Sequence, residues 1–484
     1  MFEKLLKKTI SKEEIATLLK TNPKALEEFE RQYNSKVLSN PNELDLSTNF
    51  FDINSRQANK KRKIIEPNQN VTIEDDVTEF YSLELNKLMN RIVKELISTT
   101  PIYKYSNKRK SSEIIERNDL PREEMVSYEE ICKFPKTLRP QLTATLQKRD
   151  ISEMPSYVAL LDIYNRMKKT KNPQQKQQLY HHFRQGMDIL DLDPILYEML
   201  GTNPNSMGYW LPKMVDAIEQ QDFFKIPETT IIKVPMNLLQ LTRCEYMELT
   251  QTTFDIVNEF CKKVFSLNEE KEYFIKTGTY SSKFDFRNAK VTGAKEVREL
   301  GEYLLFIHFQ ANQMAASLSS PCIYGVSTTN EWVVREFVND KENNPCIYKG
   351  LPLHTEYRVF VDFDEDKVIG INPYWDSKVM KQRFGHEEDK DSPHQIHDYI
   401  IYCSHEEKLM KRYEENKDKI IQMVEEFLPN VNLSGQWSID IMQNGEDFWF
   451  IDMALAQNSA LVDCVPKHLR KDMEEDWLPD LSNK

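Results

Sequence analysis

The feature that most constrains this chain is a change of rhythm after Ile226. Beyond it, apolar residues fall into short runs rich in Val, Ile, Phe and Tyr. The runs are TTIIKVP at 229–235, YFIKTG at 273–278, WVVREFV at 332–338, EYRVFVDF at 356–363, KVIGINPYW at 367–375, QWSIDIM at 436–442 and FWFIDMA at 448–454. Runs of this length and make-up read as strands. Helical patterns at 248–266, about 295–317 and 405–428 lie between them. The expectation is an α+β domain over residues 226–462, followed by a tail at 463–484.

The first half has a different character. Ser11 and Glu14 form an S-x-x-E capping box ahead of Ile15, Leu18, Leu19, Leu26 and Phe29, with Pro23 dividing two short helices in a unit over 1–48. Residues 49–75, with Lys60, Lys61, Arg62 and Lys63 among Asn, Gln and Asp, read as a basic polar linker. From Thr72 to about Ser98, Phe80, Leu83, Leu85, Leu88, Met89, Ile92, Val93 and Leu96 recur near every 3.6 residues. A polar segment follows at Lys108, Arg109 and Lys110. Several helices separated by Pro140, Pro155, Pro173, Pro194, Pro204 and Pro212 then complete a mainly helical domain over 76–225.

A length of 484 residues exceeds what one core organises, so at least two folding units are expected. With 77 acidic against 64 basic residues, the net charge of −13 opposes condensation on a phosphate backbone and makes a nucleic-acid partner an unfavoured reading. Seven cysteines without a C-x-x-C pair read as reduced, buried thiols of a cytoplasmic protein. A charged N-terminus and no run of ~18 apolar residues argue against export and membrane insertion. Richness in Lys, Asn and Ile suggests an AT-rich bacterial or phage genome.

Chemistry concentrates in three places. FIKTGTYSSKFDF at 274–286 presents Lys276 on a strand and then passes through Gly278, Ser281 and Ser282 to Lys283. Small residues let backbone N–H groups approach phosphate oxygens, and two lysines supply charge. The segment is neither a Walker A loop nor a K-x-D-G nucleotidyl-transfer motif, and an ordinary hairpin with surface lysines is the alternative. HTEYRVFVDF at 354–363 puts Glu356 and Arg358 on one face by period two, where the arginine suits the γ-phosphate or a substrate carboxylate, or else a plain cross-strand ion pair.

The third place is a hairpin carrying Asp440 and Asp452. A two-residue Asn444-Gly445 turn sets Asp440 against Trp449 and sends the carboxylates to opposite faces. A three-residue Asn444-Gly445-Glu446 loop pairs Asp440 with Phe450 and Ser438 with Asp452, making the acids diagonal neighbours on one face. Buried carboxylates need a cation or donors, and two sharing a face suit a hard divalent ion; the alternative is that either Asp caps a turn or pairs with an arginine.

A lysine strand with a small-residue loop, a hinge strand, an acid-x-Arg strand and a closing acidic hairpin, in that order, resemble the ATP-grasp superfamily over roughly 226–462. Within it the chain is most similar to the eukaryotic ATP-grasp chaperone of translation initiation factor assembly and its bacterial and phage relatives, and more distantly to ribosomal-protein glutamate ligases. The resemblance implies ATP and Mg²⁺ as cofactors. It implies Lys276 and Arg358 as phosphate contacts, Lys283 as a lid lysine, and Glu336, Phe337 and Val338 as an adenine hinge. Asp440 and Asp452 become metal ligands. The family's acid-x-Asn is absent, since Ala454 stands where Asn is usual, and Gln457 or Asn458 is the candidate replacement.

Three functions follow: a carboxylate–amine ligase acting through an acylphosphate on a peptide, protein or small amine; an assembly chaperone or binding module with little turnover; and a phosphotransferase. The N-terminal helical region is expected to recognise a substrate or protein partner. GHEEDKDSPHQIH at 385–397 reads as a solvated loop, and His181, His182 and Arg184 as packing or surface groups.

Overall fold

The computed structural model describes residues 10–38, 75–117, 120–121, 124–142, 155–172, 174–176, 178–179, 181–183, 197, 200–242, 249–317, 329–384 and 392–471. The basic linker, Arg184, residues 385–391 of the His-rich segment and the tail beyond 471 lie outside them. Strands run β1 Ile102–Ser106, β2 Ser111–Ile115, β3 Phe224–Lys225, β4 Thr229–Lys233, β5 Tyr273–Thr277, β6 Lys290–Val291, β7 Glu331–Glu336, β8 Cys346–Ile347, β9 Leu351–Pro352, β10 Thr355–Asp362, β11 Lys367–Pro373, β12 Gln436–Asn444 and β13 Asp447–Leu455. They form a six-stranded sheet of order β2-β1-β4-β7-β5-β6, a five-stranded sheet of order β11-β10-β12-β13-β3, and a small β8-β9 ribbon. The fold class is α+β, as the alternation of strand and helix patterns predicts.

Period two decides what each sheet face meets. On the six-stranded sheet, Ile102, Ile232, Ile275, Trp332 and Val334 turn toward the helices Asp75–Thr99, Gln251–Val264 and Leu300–Ser317 and share one core with them. Tyr103, Tyr105, Ile231 and Val333 face the other way. They join the core of the five-stranded sheet, in which Tyr357, Val359, Trp437, Ile439, Ile441, Phe448, Phe450, Met453 and Leu455 meet the helices Met207–Glu219 and Pro393–Phe427. A shared core ties the two sheets together, and beside it Phe274, Lys276 and Arg335, on the Val333 face of the six-stranded sheet, look across a cleft to Glu356, Asp440, Ile451 and Asp452, on the face of the five-stranded sheet opposite its core.

Three helical expectations need correction. Residues 102–115, expected in a mainly helical domain, form a hairpin that pairs β1 with β4, and Lys108–Lys110 make its turn. Pro212 lies inside Met207–Glu219 and separates no helices, whereas Pro155 stands at the start of Pro155–Lys169, as a helix boundary requires; Pro173 and Pro194 lie outside the described residues. The last long helix begins at Pro393 rather than near 405, since a proline at the first helical position forfeits only an N–H that has no partner there. His394 and His397 are therefore buried on that helix, where Tyr33 stacks on His397 with ring centroids 3.6 Å apart, and they do not sit in a solvated loop. Their partner is the N-terminal pair of helices, Lys12–Thr21 and Pro23–Tyr33, whose Ser11–Glu14 capping box forms as read. No described helix is long and apolar enough to cross a membrane. Of the described cysteines, all unbridged, only Cys261 is fully buried.

Candidate functional site

The acidic hairpin takes neither register anticipated for it. Asn444 pairs with Asp447 around a two-residue Gly445-Glu446 turn, with Gly445 at φ +64°, a left-handed conformation natural to glycine. That register continues to Ile441 opposite Phe450. Ile451 is then an extra residue, and Asp440 pairs directly with Asp452. The bulge has a packing cause: Phe448, Phe450, Met453 and Leu455 all reach the core, which strict alternation from 448 to 455 forbids. Its consequence is that Trp449, Ile451, Asp452 and Ala454 share the opposite face, with Asp452 directly across from Asp440. Direct cross-strand positions bring side chains closer than the expected diagonal.

Each carboxylate has a cation of its own. Arg358, opposite Asp440 in the β10–β12 ladder, grips it with a fork of Nε to Oδ1 at 2.8 Å and Nη2 to Oδ2 at 2.7 Å. Asp452 Oδ2 accepts from Lys276 Nζ at 2.8 Å, across the gap between the sheets. The pairs differ in setting: the Lys276 side chain is 2% exposed and that of Asp452 39%, while Arg358 and Asp440 are both largely buried.

Around these pairs lies a cleft, open to solvent and lined by Phe274, Lys276, Ser281, Lys283, Arg335, Glu336, Phe337, Val338, Glu356, Tyr374, Asp440, Ile451 and Asp452 among others. One end is the chain at 336–338, where the Glu336 and Phe337 N–H groups donate to the carbonyls of Glu228 and Glu272 at 2.9 Å each. The other end is the acid pair. Lys283 stands over the Tyr374 ring with Nζ 4.5 Å from the centroid, and Arg358 Cζ lies 4.6 Å from the same centroid. The turn presenting Lys283 is anchored by the fully buried Asp285, held by Arg287 at 2.7 Å and Lys349 at 3.0 Å.

The structure thus gathers Lys276, Ser281, Lys283, Glu336, Phe337, Val338, Asp440 and Asp452 at one cleft, with Arg358 behind Asp440. Three expected site residues stand apart. Gly278 donates its N–H to the Glu331 carbonyl, and a Cβ there would meet Glu331 Oε2 at 2.6 Å, so its smallness serves packing against Glu331 rather than access to a ligand. Ser282 is buried outside the lining. Asn458, in a turn beyond the end of β13, accepts a hydrogen bond at its side-chain oxygen from Asn205 Nδ2 at 3.1 Å and is not part of the lining.

Residues not assigned from sequence also shape the site. Glu356 lies buried in the lining, and burial pushes its carboxyl up to about 8 against the pull of Lys283. Desolvation, reinforced by Arg358, pulls Lys283 down to about 8. Glu331 accepts from the Gly208 N–H at 2.9 Å, at the start of the helix Met207–Glu219, and burial raises it to about 7. The legible signal for Glu356 was its alternation with Arg358. For Arg335 it was a charged residue inside an apolar strand two places after Val333. Glu331, at a strand edge, carried none.

The donors suit a hard cation. Two carboxylates directly opposite one another offer oxygen ligands of the kind Mg²⁺ takes. Among the described residues no cluster of three or more His, Cys, Asp or Glu could hold a metal. A cation between Asp440 and Asp452 would therefore complete its shell with ligand oxygens and water, which is the habit of Mg²⁺ on phosphates.

Compared with known proteins, the chain matches no family model and no curated protein. Among solved structures it is similar to Cdc123 from Schizosaccharomyces pombe and to a C-terminally truncated form of it. Each is 13% identical at a TM-score of 0.32 over 56% of this chain, covering 95% and 94% of those chains respectively. A TM-score of 0.32 is too low to assign a fold, so the class rests on the two sheets and the cleft between them.

Proposed function

We propose that the cleft binds Mg-ATP in the manner of an ATP-grasp protein, with the base at 336–338 and the triphosphate at Lys276, Lys283 and the acid pair. The observation that carries this is the direct pairing of Asp440 with Asp452, each held by a cation from a different strand, in a cleft that is also lined by the chain at 336–338. Of the hinge amides, those of Glu336 and Phe337 are already engaged, which points to Val338 N–H as the donor to a base. Mg²⁺, when bound, would supply charge neutralisation on the phosphates, and Asp440 and Asp452 would hold it.

The chain's own residues then position and stabilise. Lys276 would exchange Asp452 for a phosphate oxygen, leaving that carboxylate to hold Mg²⁺. Arg358 keeps Asp440 oriented with its two-bond fork, and Lys283 adds charge from the lid side against Tyr374. In-line transfer of the terminal phosphoryl group needs positioning and positive charge more than covalent chemistry, and this constellation offers both.

Of the possible outcomes we favour carboxylate–amine ligation through an acylphosphate, with a peptide, protein or small amine as acceptor. A binding module with little turnover is the second reading, favoured by the engagement of Asn458 with Asn205, which leaves two carboxylates as the protein's metal ligands. Phosphate release from Mg-ATP, followed with and without a panel of carboxylate and amine acceptors, separates them. Release that requires an acceptor supports ligation. Saturable ATP binding with no release under any condition supports the module.

A further inference from the structure

We propose that Arg335 contacts the nucleotide directly, donating through Nη2 to an acceptor atom in the part of the ligand between the hinge and the acid pair. This rests on the nucleotide-binding reading above. Arg335 lies on β7 immediately before Glu336, is 3% exposed, and lines the cleft together with Ile451 and Asp452. Its Nε donates to Thr229 Oγ1 at 3.0 Å and its Nη1 to the carbonyl of Ile451, the bulged residue, at 2.5 Å. Nη2 is buried and has no hydrogen-bond partner among the described residues.

A guanidinium offers five N–H donors in a fixed plane, and burying some of them unpaired is costly. The nearest negative charge does not take them. Asp452 Oδ2 accepts from Lys276 and its Oδ1 from the Met453 N–H at 3.0 Å. Two of the guanidinium nitrogens are thus clamped to opposite walls, Thr229 in one sheet and Ile451 in the other, which fixes the plane of the fork while the third nitrogen remains unsatisfied. A group held so rigidly, with donors to spare in a cleft, is preorganised for an acceptor from a ligand. Burial also lowers the guanidinium's affinity for its proton, which an incoming acceptor would restore. Along a nucleotide laid from 336–338 to Asp452, that acceptor is either a purine ring nitrogen or an oxygen of the first phosphate.

The test is calorimetric titration of the full chain and of Arg335→Lys and Arg335→Met with adenosine, AMP and Mg-ATP, with folding checked by circular dichroism and melting temperature. Loss of one charge-assisted hydrogen bond predicts about tenfold weaker Mg-ATP binding in Arg335→Met. A similar loss for adenosine assigns the contact to the base, and a loss confined to AMP and Mg-ATP assigns it to the phosphate. Arg335→Met binding Mg-ATP as tightly as the wild type overturns the proposal. Should that variant misfold, Arg335→Lys decides, because its single ammonium cannot hold both walls and the ligand: weakened binding supports the contact and unchanged binding refutes it. A wild-type chain that binds no Mg-ATP removes the nucleotide reading itself, which is a different result from an indifferent Arg335.

Discussion

The two sheets meet at the cleft with ion pairs built in opposite ways. The six-stranded sheet sends a buried lysine, Lys276, to a carboxylate that water still reaches. In the five-stranded sheet, Arg358 and Asp440 are both buried and joined by a two-bond fork. Breaking a buried pair leaves an uncompensated charge, whereas an exposed carboxylate can be solvated by water when its partner goes. The difference teaches that the Arg358–Asp440 pair belongs to the fold as well as to the site, while in the Lys276–Asp452 pair removal of the lysine leaves a carboxylate that water can solvate, and this is the pair a metal–phosphate ligand would exchange.

Substitutions can break this contrast, and the largest effect is expected at Asp440. Asp440→Ala strands Arg358 and removes half of the cation site, so urea denaturation should show a loss of ~3 kcal/mol and titration should show Mg-ATP affinity down by a factor of about 100 or more. Lys276→Met should separate the two roles. Affinity is expected to fall by about 30-fold, near 2 kcal/mol, while the stability of the free protein stays within ~1 kcal/mol, because Asp452 is open to water. Equal stability losses in the two variants would erase the distinction.

Glu331 sharpens the comparison from the side of the lysine strand. Its folded value of about 7 lies above the ordinary 4.5, so the folded state favours the neutral acid. Stability from this group is fully present below about 4.5 and lost as pH rises through about 7. Glu331→Gln keeps an acceptor for the Gly208 N–H and carries no charge. It should be more stable than the wild type by roughly 2 kcal/mol at pH 8, with the two converging near pH 4.5. Melting curves across that range check it, and a variant less stable at pH 8 would contradict it.

A smaller effect is expected from pH on binding. Lys283 loses its proton, and Glu356 becomes charged, as pH rises through about 8. Both changes make the cleft more negative, so Mg-ATP affinity should decline from pH 7 to pH 9 by about tenfold, with proton uptake on binding. A Lys283→Met, Glu356→Gln double variant should flatten that profile.

Much of the fold was legible because strand and helix rhythms are set locally. The runs around Ile275, Val333, Val359, Ile439 and Phe450 become strands where expected. The hairpin at 102–115 was not legible, since its two short strands are specified by pairing β1 with β4, more than a hundred residues away. The site was legible at residues where charge interrupts an apolar strand, namely Lys276, Arg358, Asp440 and Asp452. What sequence did not disclose was the register that unites the two acids. It depends on Ile451 bulging so that Phe450 and Met453 can both reach the core, a choice made by tertiary packing. Gly278 misled for a related reason, because the demand for a small residue comes from Glu331, on the neighbouring strand, rather than from a ligand.

The most direct test of the central claim is the thermal shift of the intact chain with ATP, measured with excess Mg²⁺ and again with the metal chelated. At a hundred times the dissociation constant, bound ligand should stabilise the protein by ~2.7 kcal/mol. The account predicts that shift with Mg²⁺, most of it lost on chelation, and almost none of it in Asp440→Asn. An unchanged melting temperature with Mg-ATP, or a shift that survives both chelation and the Asp440 substitution, would contradict it.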